Sequence, residues 1–345
     1  MPVPSPVEGG RFVAFGEVML RLSPPGRELL LQRPQLDVWV AGAEANVAVQ
    51  LARLGHDVGF ASRLPDNDLG RAALTFLRGN GVDVRAVATG GERMGLYFVT
   101  SGAGMRATEV IYDRAGSAFA EADPDGWDWD AILSGADRLH LSGITPALGP
   151  GPARAALGAA EAASARGVPV SFDGNWRGKL WARWEGNPRA ILSELVGHAD
   201  LLFGNHRDVA LLLGRDDFGG EGEERRRAAA QAAFGTFPRL RLIASTARHV
   251  EHADLNRLSA RVDERDGAAQ TAGVTLAGIV DRIGGGDAFA AGVLDALRRG
   301  GDRDAMARTG LALATLKHSL PGDAGLFRQA DLEMFMMGGS TDVRR

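Results

Sequence analysis

The sequence predicts an α/β fold built on a mostly parallel sheet covered by helices on both faces, with a smaller sheet projecting from it. Three observations carry this. Short apolar runs bounded by turn residues alternate with longer amphipathic or alanine-rich stretches from Phe12 onward, the pattern of strand–helix–strand units. The alternation breaks once, where residues 94–100 and 109–114 flank Ser101, Gly102, Ala103 and Gly104 with no helix between them. Such a hairpin calls for a sheet of its own. Polar clusters also follow the apolar runs that end at Phe172, Phe203, Ala244 and Val280. In a parallel sheet ligands bind beyond the carboxyl ends of the strands.

Composition bounds the function. With 345 residues, 45% of them hydrophobic and 24% charged, the chain is an ordinary globular protein able to bury a large core. A net charge of -4 gives no reason to expect a nucleic-acid or anionic-membrane partner. There is no cysteine, which excludes disulfides, thiolate metal sites and cysteine nucleophiles. Residues 1–10 (MPVPSPVEGG) carry neither a basic n-region nor an apolar core and read as a loose leader, not a signal peptide. No apolar run approaches the roughly 18–20 residues of a membrane span. A cytoplasmic location is expected.

Taken in order, residues 12–22 (FVAFGEVMLRL) open as a buried strand and then alternate, which reads as one strand running toward the surface. A short strand is expected at 36–40. The stretch AGAEANVAVQLARLG at 41–55 leads into a helix stopped by Gly55. Asn46 is polar in small, apolar surroundings. It has two readings of equal weight, a capping role in the first turn or a hydrogen bond to a ligand above the helix start. A strand at 58–62 and a helix at 68–78 precede the hairpin. The chain's two tyrosines, Tyr97 and Tyr112, lie on its paired strands, and Arg114 follows on the face of Tyr112 if the strand continues. Cross-strand packing accounts for the tyrosines without any ligand. Further strands are expected at 138–141, 168–172, 201–203, 240–244 and 274–280, with short segments around Val250 and at 258–262. Helices are expected at 151–166, 188–196, 208–213, 221–233, 288–298, 303–318 and 329–337. The run EGEERRR at 221–227 is a solvated helix face.

The stretch the chain is organised around is DRIGGGDAF at 281–289. Three consecutive glycines can turn their N–H groups inward together, and a helix starting just beyond them adds its dipole, so the site suits an anion. Asp287 sets a carboxylate at the edge of that site, although Asp is also an ordinary helix-starting residue. The Walker A pattern is absent; GNWRGKL at 174–180 has short spacing and no hydroxyl after its lysine. A dinucleotide G-x-G-x-x-G after the first strand, a G-x-S-x-G elbow and a helical histidine pair for zinc are absent too. What remains is an anion hole with an acid beside it. Phosphoryl transfer needs positioning, charge stabilisation and a base for the attacking hydroxyl, and Asp287 is that base.

These motifs, in this order and separation, resemble the PfkB or ribokinase-like carbohydrate kinases, and within them the 2-keto-3-deoxygluconate kinases, over nearly the whole chain. DRIGGGDAF resembles the family's D-T-x-G-x-G-D signature, and 41–55 its early glycine-rich substrate motif. The resemblance implies a ribokinase-like three-layer α/β/α fold, with one kinase domain at 11–338, lid strands from about 18–40 and 94–116, and a tail at 339–345. It makes Asp287 the catalytic base and Gly284, Gly285 and Gly286 the anion hole. It places Gly42, Ala43 and Asn46 on sugar hydroxyls, and Tyr97, Tyr112, Arg114 and Arg177 on the sugar acid. Asn175, Asn205, Ser245, Thr246, Gly284, Gly286 and Gly322 are expected around the nucleotide, and Asp208 on magnesium through water. ATP and Mg2+ are the implied cofactors, with a monovalent cation left open, and the lid is a surface through which two copies can pair. Three departures stand out: Arg282 replaces the signature threonine, Asp208 a glutamate, and Ser245-Thr246-Ala247-Arg248 a glycine-rich nucleotide turn.

An unpaired arginine in a closed site is costly, and a carboxylate satisfies a guanidinium fork well, so Arg114 and Arg177 point to an acidic sugar. The expected reaction is ATP-dependent phosphorylation of 2-keto-3-deoxygluconate at its terminal hydroxyl, giving the 6-phosphate. Alternatives are a kinase for another sugar acid or fructose, and a non-catalytic sugar- or nucleotide-binding protein.

Overall fold

The structure, a computed structural model, describes residues 9–338. The leader expected at 1–10 lies outside the described residues apart from Gly9 and Gly10, and the tail at 339–345 lies wholly outside them. Along the chain the strands are β1 (Arg11–Phe15), β2 (Met19–Ser23), β3 (Asp37–Ala41), β4 (Val58–Leu64), β5 (Val87–Thr89), β6 (Gly95–Thr100), β7 (Glu109–Asp113), β8 (Ala136–Ser142), β9 (Val170–Asp173), β10 (Leu201–Phe203), β11 (Leu242–His252), β12 (Leu255–Asp263), β13 (Ala268–Gln270) and β14 (Val274–Ala277). The helices are α1 (Ala43–Arg53), α2 (Asp68–Gly79), α3 (Trp129–Ile132), α4 (Pro150–Ala165), α5 (Gly178–Trp181), α6 (Pro188–His198), α7 (His206–Leu213), α8 (Gly222–Thr236), α9 (Gly285–Arg298), α10 (Arg303–Lys317) and α11 (Gln329–Met336).

The main sheet runs β13-β12-β11-β10-β9-β8-β1-β4-β5, with β14 also on β12. From β11 to β5 every pairing is parallel; β12, β13 and β14 close the sheet with antiparallel pairings. Period-two alternation sends successive side chains to opposite faces. Phe12 and Ala14 join a core with residues of α1, α2, α9 and α10, while Val13 and Phe15 join one with residues of α4, α6, α7 and α8. These two cores make the three-layer α/β/α arrangement. The second sheet is a four-stranded lid in the order β3-β2-β6-β7, with β2 and β6 parallel. One lid face buries Met19, Ala41, Tyr97 and Val99 against Ile283 of the glycine loop.

Three expected strands differ from the observed ones. Residues 12–22 form two strands in two sheets. Glu17, buried between them and held by Arg114 and Ser117, anchors the step from main sheet to lid. The strand expected at 240–244 continues to His252, so 245–248 is extended strand rather than a turn. The run before the glycine loop is β14, antiparallel to β12, so the loop does not issue from a parallel strand. The short β5, β13, α3 and α5, of three or four residues each, are too brief to show a period.

Candidate active site

The carboxyl ends of β9 and β10 and the middle of β11 form the floor of a cleft whose roof is the lid. A cavity of ≈ 390 Å³ takes in Asp173, Asn175, Asn205, Asp208, Ser245, Thr246 and Gly286. Another of ≈ 520 Å³ is lined by Gly42, Ala43, Asn46, Tyr97, Tyr112, Asn175, Arg177, Gly284, Gly285, Gly286 and Asp287, together with Arg248, Arg282 and Asp323. Asp173, Asn175 and Gly286 belong to both, so the cavities meet at the start of α9.

That meeting point is built by backbone. Gly284 has φ 77°, and a Cβ there would fall 1.9 Å from the carbonyl oxygen of Asp323. Glycine is therefore required on conformational and on steric grounds. The first-turn N–H groups of α9 have no intrahelical acceptor, an arrangement that suits an anion, and Gly284, Gly285 and Gly286 line the cavity. Gly42 plays the matching part at the start of α1, with φ 152° and a Cβ position 2.3 Å from the carbonyl oxygen of Glu17. Glu44 in the first turn of α1 is buried and accepts from Ser142 (2.7 Å) and Thr145 (3.1 Å), tying the helix to the end of β8. Asn175, also with positive φ (37°), turns the chain after β9 and donates its N–H to Asp173 at 3.0 Å.

Asp287 stands in the first turn of α9, half-buried, and accepts a 2.6 Å hydrogen bond from Asn46 Nδ2. Burial pushes its carboxyl up to about 7; the Asn46 bond and the charge of Arg177 oppose the rise, and Asp323 adds to it. Asp173 is pushed up to about 8, by burial first and then by Asp287 and Asp208. Asn46 is thus no helix cap. One of its two amide N–H bonds goes to the carboxylate, which it orients, and the other faces a cavity it lines.

Arg21 and Arg114 of the lid region are paired with carboxylates from neighbouring segments. Arg114, expected to await a substrate carboxylate, is buried and ion-paired with Glu17, lies outside the cavity of Asp287, and keeps one partnerless donor, Nη1. Two elements distant in sequence supply that pair, which local reading could not see. The Tyr97 hydroxyl, expected on the sugar, donates to Asp323. Arg21 bridges Asp281 (2.6 Å) and Asp323 (3.0 Å), and the buried Lys317 donates to Leu320 O at 2.9 Å close by. Gly322, expected beside the nucleotide, is buried against the lid: its N–H donates to Asp281 at 3.2 Å, and a Cβ there would meet the Trp39 ring at 2.7 Å. Segment 318–323 therefore packs under the lid instead of lining the Asn205 cavity.

Asp208 completes a capping box on α7, accepting from Asn205 N at 2.7 Å while lining the same cavity as Asn205. No group of three or more metal-ligating side chains exists among the described residues. Asp208 and Asp173, both raised by burial, are the carboxylates whose charge a divalent cation shared with phosphates would offset. No helix among the described residues is long and apolar enough to cross a membrane.

The sequence pattern of the pfkB family carbohydrate kinases matches residues 11–326. This chain belongs to the PfkB family. It is a carbohydrate kinase, a phosphotransferase acting on an alcohol group, in a family that uses ATP with Mg2+. A 2-dehydro-3-deoxygalactonokinase of Haloferax volcanii is 33% identical over 333 residues, covering 96% of this chain and 98% of that one. A 2-dehydro-3-deoxygluconokinase of Thermoproteus tenax is 34% identical over 59% of this chain and 62% of its own length. The crystal structure of a Thermotoga maritima 2-dehydro-3-deoxygluconokinase superposes with a TM-score of 0.90 at 36% identity, over 95% of this chain and 99% of that one.

Within this kinase, sequence reading missed Asp173, Asp323 and Arg248 as cleft residues and gave Arg282 no role. Asp173 had a usable signal, a carboxylate at a strand's carboxyl end. Asp323 had none, because its partners Tyr97 and Arg21 are 226 and 302 residues away.

Proposed function

We propose that this kinase phosphorylates a 2-keto-3-deoxy sugar acid, 2-keto-3-deoxygluconate first, at its terminal hydroxyl to give the 6-phosphate. One observation carries the reading: Asp287, with its carboxyl raised to about 7, shares a cavity with Tyr112 and with Arg177, which has no carboxylate partner among the described residues. Arg177 and Tyr112 hold the acid end, while Gly42, Ala43 and Asn46 set the hydroxyl chain against the start of α1. Asp287 takes the proton of the attacking hydroxyl as the bond to phosphorus forms. The amides of Gly284, Gly285 and Gly286 hold the phosphoryl oxygens, and Asn175, Asn205, Ser245 and Thr246 face the nucleotide. Mg2+ would offset phosphate charge, held by Asp208 and Asp173 through water. Arg21 pairs with both Asp281 and Asp323, with the buried Lys317 close by, so these two carboxylates are balanced within the protein. The far face of the lid leaves Val38 57% and Ile111 55% exposed, which supports pairing of two copies there.

The test is ADP release from ATP and magnesium with a panel of keto-deoxy acids and hexoses. The C4 epimer of the leading substrate belongs on the panel, because the Haloferax relative carries the galactonate name. We expect turnover of the acids and little of fructose. Sugar binding without turnover on any member would leave a non-catalytic binding protein.

A further inference from the structure

Arg248 and Arg282 line the acceptor cavity, and neither has a carboxylate partner among the described residues. Arg248 lies on β11, two residues beyond Thr246 and so on the same strand face. Two residues of strand advance about 6.8 Å. That step carries the face from the donor-side cavity, lined by Thr246, to the acceptor cavity, lined by Arg248. The guanidinium is held in place. His318 Nδ1 lies 2.6 Å from the carbonyl oxygen of Ala314, which can only accept, so Nδ1 carries the proton and Nε2 accepts from Arg248 Nη2 at 3.2 Å. The same Nη2 lies 3.7 Å from the point a Cβ on Gly285 would occupy, beside the first turn of α9. Burial and the nearby Arg282 lower the Arg248 pKa to about 10, still cationic at neutral pH. Two neighbouring guanidinium groups with no ion-paired carboxylate, beside the first-turn amides of α9, are arranged for an incoming anion.

We propose that the Arg248 guanidinium contacts the phosphoryl group in flight between ATP and the sugar, beside the amides of Gly284, Gly285 and Gly286. Arg282 adds positive charge over the same site. This rests on the kinase reading above. In the step, the sugar hydroxyl oxygen bonds to the γ-phosphorus and its proton passes to Asp287. The bond to the β–γ bridging oxygen breaks, with its electron pair leaving on ADP. Arg248 gains and loses no proton; it donates hydrogen bonds to oxygens whose charge shifts as the bonds exchange. A side-chain cation thereby stands where related kinases place a glycine-rich turn.

Two measurements on full-length protein test it: steady-state kinetics with the best acid substrate, and calorimetric binding of ADP and of β,γ-imido-ATP. For Arg248→Gln we expect kcat to fall roughly 100-fold with the KM of the sugar acid unchanged. We also expect loss of the preference for the imido analogue over ADP, and partial recovery of both readouts in Arg248→Lys. Thermal melts of both variants identify misfolding, and Arg248→Lys, which keeps the charge, supplies the comparison if the glutamine variant is unstable. Unchanged kcat, or a loss confined to the KM of the acid, would overturn the proposal; the latter would make Arg248 a carboxylate receptor. Wild-type protein inactive on the whole panel would instead remove the kinase reading itself.

Discussion

On the lid side of the cleft, Arg21 reaches Asp281 and Asp323 at 2.6 and 3.0 Å, Arg114 is held by Glu17, and the Tyr97 hydroxyl is spent on Asp323. On the floor side, Arg177, Arg248 and Arg282 enter the cavity with no carboxylate partner among the described residues, while Asp173 and Asp287 are pushed up to about 8 and 7. On the lid side, Arg21 and Arg114 are paired with carboxylates from neighbouring segments and fix where the roof sits. The floor's charges are left for a ligand and carry a stability cost until one arrives. Residue type does not separate the two groups, since arginine and aspartate serve in both. What separates them is whether the fold brings a counter-charge within reach.

The largest effect that would test this division is at Asp287. Asp287→Asn should lower kcat by about 10³- to 10⁴-fold, while circular dichroism stays that of the wild type. The same variant should melt no lower than wild type at pH 8, and we expect it to melt higher. The sign follows from linkage: a carboxyl raised to about 7 by the fold binds its proton more tightly folded than unfolded. Its stability penalty accordingly grows as pH rises from about 4 and is fully present above 7. Near-normal turnover by Asp287→Asn would place the base elsewhere.

Next in size is Arg21→Met, which strands Asp281 and Asp323 with one cation fewer. Urea unfolding should show a loss of about 3–5 kcal/mol, whereas Arg177→Met should leave stability almost unchanged. Equal losses in the two variants would erase the contrast between roof and floor. Arg177→Met should instead raise the KM of the acid substrate by roughly 10- to 100-fold and spare a neutral sugar. Because Arg177 holds the Asp287 carboxyl down, that variant should also move the acidic limb of kcat/KM to higher pH. In the wild type this limb should rise through pH 7, with activity falling as the base is protonated below it. The smallest effect is at the surface, where the exposed Arg27 of the β2–β3 connection pairs with Asp254 at 2.7 Å. Arg27→Ala should change neither stability nor KM measurably, since solvent screens such pairs.

The glycine loop and its acid were legible in the sequence, because their geometry is local. Consecutive glycines before a helix make an amide nest wherever they occur, and a polar residue after a buried strand sits at the sheet's carboxyl edge. Hence Asp287 and the polar clusters after Phe172 and Phe203 could be read from their neighbours, while the roles expected of Asn175, Asn205, Ser245 and Thr246 came from the family resemblance. The lid was legible as a hairpin but not as a charge system. Residues 12–22 offered no sign of changing sheets, because the turn at Glu17 is held by Arg114 and Ser117, 97 and 100 residues further along. Strand continuation past Ala244 was hidden for a similar reason: its partner β12 supplies the register.

The sequence by itself determined the alternating α/β architecture, the glycine loop at a helix start with an acid beside it, and the pair of motifs that mark a carbohydrate kinase. Those depend on periodicity, on glycine's missing side chain and on spacing within a few residues. The tertiary structure decided which charges are free. It paired Arg114 and Arg21, spent the Tyr97 hydroxyl, turned Asn46 onto Asp287, moved Gly322 under the lid, and left Arg177, Arg248 and Arg282 facing the cavity. Coulomb and hydrogen-bond partners act through space over a few ångströms, and only folding makes residues hundreds of positions apart into neighbours.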